Sequence, residues 1–287
     1  MTQNDTLKWS HDNESYCLHV ELDDDASENP MQDDTIVSFL SVQSKIEGNV
    51  TAYSVNNFWQ DKLVKELSIK EIIEHLQNGA CGDMNIEKLS DGRYNLHGKN
   101  RYGEEFDEEN CSEDDIRRYV KEIMCTNDAI KMLGSSYSIH PVWAYNHSGI
   151  SLYVAPANCS YERPYPYNDR FDSCFAGWAF VKKQAILENF PDATETNWRE
   201  TSQKVVTDTL HVLNQWLEND IWWFQLLKYN EATHEWDQED SCGGFYGNDI
   251  ETNGMLDYVG HGLAEAIANH DTEKGTAKMV MSFGKPK

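Results

Sequence analysis

The chain has 287 residues, 39% of them hydrophobic, with 9 Trp and 14 Tyr, which is too apolar for a disordered polymer and long enough to bury a sizeable core. Its 49 acidic against 24 basic side chains give a formal charge of −25, and such a surface repels nucleic acid, which excludes direct DNA binding. No stretch approaches the roughly 20 apolar residues of a membrane span. The N-terminal MTQNDTLKWSHDNE also lacks a basic and apolar leader, so the chain reads as a cytosolic, non-membrane protein.

The acid is unevenly placed. It gathers first in ELDDDASENPMQDD, with Asp23, Asp24, Asp25, Asp33 and Asp34. DDTIVSFLSVQSKIEGNVTAY (Asp33 to Tyr53) follows, rich in β-branched residues and broken at Glu47-Gly48, and reads as strands with a turn. In DKLVKELSIKEIIEHLQNG the apolar residues Leu63, Val64, Leu67, Ile72, Ile73 and Leu76 recur near a 3.6-residue period, which predicts one amphipathic helix ending at Gly79.

IEKLSDGRYNLHGKNRYG carries hairpin punctuation, and the second acidic run, GEEFDEENCSEDD, places Glu104, Glu105, Asp107, Glu108 and Glu109 together. Ser112 then stands as an N-cap with Glu113, Asp114 and Asp115 in the first turn, where the helix dipole favours acid. Ile116 to Ile130 continue that helix to a cap at Gly134. GSSYSIHP reads as a boundary, dividing the chain into an acidic N-terminal α+β domain (1–134) and a C-terminal α+β domain (135–287) with a mildly basic tail (271–287).

The second part opens with the strand PVWAYNHSGISLYVA, then a loop rich in Pro and Tyr, the strand AGWAFVKKQ, and a helix with Val205, Val206, Thr209, Leu210, Leu213, Trp216 and Leu217 on one face. IWWFQLLKY returns as an aromatic strand, and NEATHEWDQED connects it to SCGGFYG. This order predicts an antiparallel sheet with a packed helix, so the whole reads as α+β. Trp222, Trp223 and Phe224 in succession require cover on both faces of their strand, from a helix or from another subunit.

The letters DSC occur twice, in FDSCFAGWAFV and EDSCGGFYG, each read as a point where a polar loop enters a strand. His147, Cys174 and Cys242, with Asp172 and Asp240 nearby, are the raw material of a thiol- or metal-dependent enzyme. The spacing opposes it, because no HExxH, CxxC, GxSxG or P-loop pattern brings a nucleophile to its base. Seven scattered cysteines without a CxxC pair read as reduced thiols. Cys174 and Cys242 therefore read as small buried hydrophobes in tight sheet corners, with Gly177, Gly243, Gly244 and Gly247 allowing backbone conformations that a Cβ would block. No metal, cofactor or catalytic residue is expected. The acidic runs read either as a solvating surface or as a face that imitates the DNA phosphate array.

The segment Trp143 to Gly247 carries NHSGISLYV, with His147 and Gly149, followed by FDSCFAGWAFV and EDSCGGFYG. It resembles a phage and prophage protein family with an HSGI strand, a D-S-x-x-x-G-aromatic strand and a terminal DSC-W-GFYG motif. The chain departs from that pattern in having Gly243 where the family has an aromatic after the cysteine, and in having Cys174 in the first DS motif. In size, acidity and layout it is most similar to the anti-Gabija inhibitors of this group. The resemblance implies a non-catalytic counter-defence protein of the host cytoplasm, a homo-oligomer that binds a bacterial nuclease–helicase complex and blocks its access to DNA. Outside the resemblance, a phage structural or assembly protein is the other reading.

Overall fold

The computed structural model describes residues 5–24, 28–32, 35–43, 46, 48, 50, 55–100, 102–147, 149–157, 169 and 171–274. Alternation of Tyr16, Leu18 and Val20 with more polar residues builds a hairpin within the acidic N-terminal region, β1 (Asp5–His11) and β2 (Glu14–Leu22). It reverses at Asp12 and Asn13, both left-handed, a conformation these two residue types tolerate best. β3 (Val37–Ser41) follows, and Val50 bridges in parallel to Leu40; Glu47, of the expected turn, lies outside the described residues.

The periodicity read as one helix ending at Gly79 forms two, α1 (Val55–Glu66) and α2 (Ile69–Gln77). Ser68 makes the break. Its hydroxyl accepts from the Glu71 N–H while the Glu71 carboxylate accepts from the Ser68 N–H, a capping box that starts a new helix. β4 (Gly82–Lys88), β5 (Tyr94–Asn100) and β6 (Glu105–Cys111) form a three-stranded antiparallel sheet in that order. Ser112 caps the next helix with Asp115 as its partner, but again two helices stand where one is expected, α3 (Glu113–Ile123) and α4 (Thr126–Leu133). Gly134 follows α4 with right-handed φ of −61°, so it is not a left-handed cap.

The segment read as a boundary is instead the start of β7 (Tyr137–Asn146), in which every residue from Tyr137 to Ala144 is buried. A strand buried on both faces shows no alternation, and that uniformity hid it in the sequence. The remaining elements are β8 (Ile150–Val154), β9 (Ser173–Lys182), α5 (Lys183–Asn189), α6 (Trp198–Leu217), β10 (Ile221–Asn230), β11 (Glu235–Tyr246), α7 (Met255–Val259) and α8 (Leu263–Lys274).

Two four-stranded sheets complete the fold, β1-β2-β10-β11 and β3-β9-β7-β8. β2 pairs antiparallel with β10, Leu18 opposite Leu226, and β3 pairs antiparallel with β9, Phe39 opposite Ala179. Ladders therefore tie together segments on either side of position 134, and the compact units divide the chain elsewhere. One unit comprises residues 1–32, 148–151 and 211–287, and the other comprises 33–147 and 152–210. The class is α+β with antiparallel sheets and the packed helix α6.

Each unit has its own core. In the larger, Trp59 is fully buried and meets Trp178 and Phe180 edge to face at 5.8 and 5.2 Å, among Leu63, Ile72, Ile116 and Ile139. In the smaller, Leu18, Val20, Trp222, Phe224 and Leu226 form one sheet face, covered by Met255, Val259, Leu263 and Ile267 from α7 and α8. Helices thus supply the cover for Trp222 and Phe224, while Trp223, on the opposite face, is half-buried. Each large side chain buried this way contributes roughly 1.5–3 kcal/mol of transfer free energy.

Candidate functional site

The two DSC segments share a structural cause. In β9, Val142 of β7 faces Gly177 and Trp143 faces Phe175, so Ala176 is an extra residue. In β11, Trp222 faces Phe245 and Phe224 faces Cys242, so Gly243 and Gly244 together oppose Trp223. Both are β-bulges, and Gly244 has the left-handed φ of 82° that one bulge type requires. The repeated cysteine–glycine context marks a strand that must kink. The bulge next to Cys174 lies near the entry of β9, but Asp240 lies well inside β11, not where a loop enters it.

His147 and Asp172 come together, Nδ1 to Oδ2 at 3.2 Å, because the Asn146 N–H donates to the Asp172 carbonyl and extends the β7–β9 ladder. Cys174 belongs to the same strand, half-buried, and burial pushes its thiol up, away from the thiolate that a nucleophile needs. Cys242 is also half-buried; it belongs to the smaller unit and packs against that unit's core from mid-strand. Neither cysteine is the fully buried corner residue expected. Gly149 stands in the turn before β8 with open space around it, and the Gly247 N–H donates to the Asp220 carbonyl at 2.9 Å.

A Ser–His pair, invisible as a motif, lies inside β7. Ser138 Oγ is 2.8 Å from His140 Nε2, and both residues are fully buried. Burial holds the imidazole down to about 4, so it stays neutral, and no substrate reaches it. It is a core polar pair.

Of the acidic residues singled out in sequence, Asp25, Asp33 and Asp34 lie outside the described residues. Asp24 is exposed and Asp23 is partly buried, its N–H donating to the Ile221 carbonyl at 2.8 Å. The second run is better defined. Glu105, Asp107, Glu108 and Glu109 all lie exposed on β6, an edge strand, with Glu104 exposed immediately before it. Two of these are met by cross-strand cations or donors of β5, Glu105 by Lys99 at 2.9 Å and Asp107 by His97 at 2.5 Å. Glu104 accepts from the Asn100 side-chain amide at 2.8 Å. Phe106, between them, turns inward and packs on Tyr119, whose phenol burial and the nearby Glu108 push up to about 12.

An acidic groove in the smaller unit escaped the sequence reading. It encloses about 520 Å³ between the β1–β2 turn and the β10–β11 hairpin, and four carboxylates line it, Glu14, Glu231, Asp237 and Glu239, against the single ammonium of Lys228. Lys228 Nζ meets Glu14 Oε1 at 2.6 Å and Tyr16 Oη donates to Glu14 Oε2 at 2.7 Å. These partners hold the Glu14 carboxyl below its ordinary range. The alternation of acid in EWDQE is the signal that could have revealed it. Among the described residues no group of three or more His, Cys, Asp or Glu side chains is placed to hold a metal ion, and no helix is long and apolar enough to cross a membrane. Comparison of the chain with protein-family models, curated proteins and solved structures gave no match.

Proposed function

We propose that the chain is a non-catalytic, protein-binding inhibitor that works in the host cytoplasm on a DNA-processing defence complex of nuclease–helicase type, presenting carboxylates to the basic surface on which that complex takes DNA. The observation that carries this reading is the placement of Glu104, Glu105, Asp107, Glu108 and Glu109 along an exposed edge strand. An extended strand rises about 3.4 Å per residue, and each DNA strand carries one charge per about 3.4 Å of axis. Five carboxylates in six residues therefore match one phosphate backbone in number per length, before the partial compensation of Glu105 by Lys99. Cross-strand pairing of Glu105 with Lys99 and Asp107 with His97 fixes the strand's register while Glu108 and Glu109 stay available.

The test is direct binding of the purified chain to a purified Gabija-type complex across a salt series, with DNA cleavage measured in parallel. Capture that weakens with salt and suppresses cleavage supports the reading. Cleavage suppressed without capture, or no effect at saturating protein, refutes it.

A further inference from the structure

We propose that the outer edge of β11 is a docking site for an extended, lysine- or arginine-bearing segment of a protein partner, which joins the four-stranded sheet as an added strand. β11 is 12 residues long and stands last in the order β1-β2-β10-β11, so only one side of its backbone ladder is used by β10. Residues 235–241 are all exposed. A long strand with an open ladder is the usual template for strand addition, in which backbone hydrogen bonds supply affinity and side-chain pockets supply selectivity.

Charge selects the occupant. Glu235, Asp237, Glu239 and Asp240 line this strand, and the groove at its hairpin end adds Glu14 and Glu231. A second copy of the chain is disfavoured: antiparallel self-pairing centred on Gln238 sets Asp237 against Glu239 on both sides, and like charges directly opposite repel. Nucleic acid and anionic membranes are repelled for the same reason. A cationic strand instead places an ammonium or guanidinium opposite each carboxylate. Trp236 gives that strand an aromatic surface already held in place, edge-on to Tyr229 at 5.3 Å between centroids and with Lys8 Nζ 5.3 Å from its ring. The register shift that leaves Glu239 extra in β11 increases the local twist, so this edge accepts a short segment.

This inference deepens the reading of the chain as a protein-binding module and rests on it. The probe is a synthetic capped peptide of about eight residues alternating lysine and valine, titrated into the full chain with amide hydrogen exchange followed by NMR. The expected result is protection of alternate β11 amides between 235 and 241, and a loss of affinity of about tenfold or more when the peptide nitrogens along one edge are methylated. Asp237→Asn with Glu239→Gln, both exposed and checked for an unchanged Tm, should weaken binding about fivefold, while Glu188→Gln with Glu200→Gln, exposed in the larger unit, leaves it unchanged. Equal binding of the methylated peptide, absence of β11 protection, or no binding overturns the proposal. If the chain inhibits the defence complex but the peptide leaves β11 unprotected, this inference fails alone. If the peptide docks and the complex is not bound, the docking edge stands and the inhibitor reading fails.

Discussion

Gly177 of β9 lies against the Leu40 carbonyl of β3 so closely that a Cβ at position 177 would fall far inside contact distance of that oxygen. Its φ of 146° is also one that side-chain-bearing residues rarely adopt. Gly244, at the other bulge, has a left-handed φ of 82° but nothing within reach of an added Cβ. The two glycines therefore predict different costs. Gly177→Ala must separate two paired strands and should lose about 3 kcal/mol or more, whereas Gly244→Ala carries backbone strain alone, about 1 kcal/mol. Denaturant unfolding of the two variants reads the difference, and equal losses would refute the close-approach account.

His140 makes the stability depend on pH. Its folded imidazole titrates near 4, mainly through burial, against an ordinary value of 6.5. The unfolded chain therefore binds a proton that the folded chain refuses between those values. Stability is full above about pH 6.5 and falls as pH drops toward 4, by on the order of 3 kcal/mol from this residue. His140→Gln, which cannot take the proton, should flatten that part of the profile while lowering stability at pH 7 through lost packing. A variant whose stability declines between pH 6.5 and 4 as steeply as the parent's would assign the slope to the carboxylates.

Local signals were legible in the sequence where the physics is local. Ser112 with Asp115, and the glycines at the bulges, are cap and turn chemistry written in a few adjacent residues. Ser68 carries the same box with Glu71, but the apolar period runs on across it; the helix break is a local preference overriding a pattern. What could not be read is pairing at a distance. Nothing in ESYCLHVEL states that Leu18 will face Leu226, and nothing in IVSFL states that Phe39 will face Ala179. A division at 134 rests on a composition shift, which tracks surface polarity, whereas the ladders pair segments from either side of that position. The acid on β6 was visible as charge, but its partial neutralisation by Lys99 and the contact of Asp107 with the His97 ring depend on the β5–β6 register. The groove needed the β10–β11 hairpin and the β1–β2 turn to be neighbours.

Cys174 tests the alternative of thiol chemistry. A half-buried thiol held above its ordinary range reacts slowly, so iodoacetamide should modify Cys174 more slowly at pH 8 than it modifies glutathione. Cys174→Ala should lower stability by about 1 kcal/mol for lost packing and leave the proposed inhibition intact in protein that still folds. Fast alkylation, or loss of inhibition at unchanged stability, would return His147, Asp172 and Cys174 to consideration as a reactive group.

The carboxylates of β6 differ in what already faces them. Glu105 is engaged across the strand by the Lys99 ammonium and Asp107 by the His97 imidazole, so the field of Glu105 at least is partly cancelled before any partner arrives. Among the described residues Glu108 faces the apolar Leu96 in the register, and Glu104 accepts from the uncharged Asn100 side-chain amide. Long-range attraction depends on uncompensated charge, and it acts on the rate of encounter more than on the lifetime of the complex. Neutralising Glu104, Glu108 and Glu109 to Gln should therefore slow association with the basic partner about tenfold at low salt and barely change dissociation. Replacing Glu105 and Asp107 by Gln and Asn also removes two negative charges and leaves Lys99 without its cross-strand partner, so it should slow association as well, by about fivefold at low salt. Surface plasmon resonance from about 50 to 300 mM salt decides, because the attraction is screened over a Debye length of roughly 6–14 Å in that range. Parent rates that are flat with salt, or a triple variant that matches the parent throughout, would remove β6 as the steering surface and leave the edge of β11 as the candidate contact.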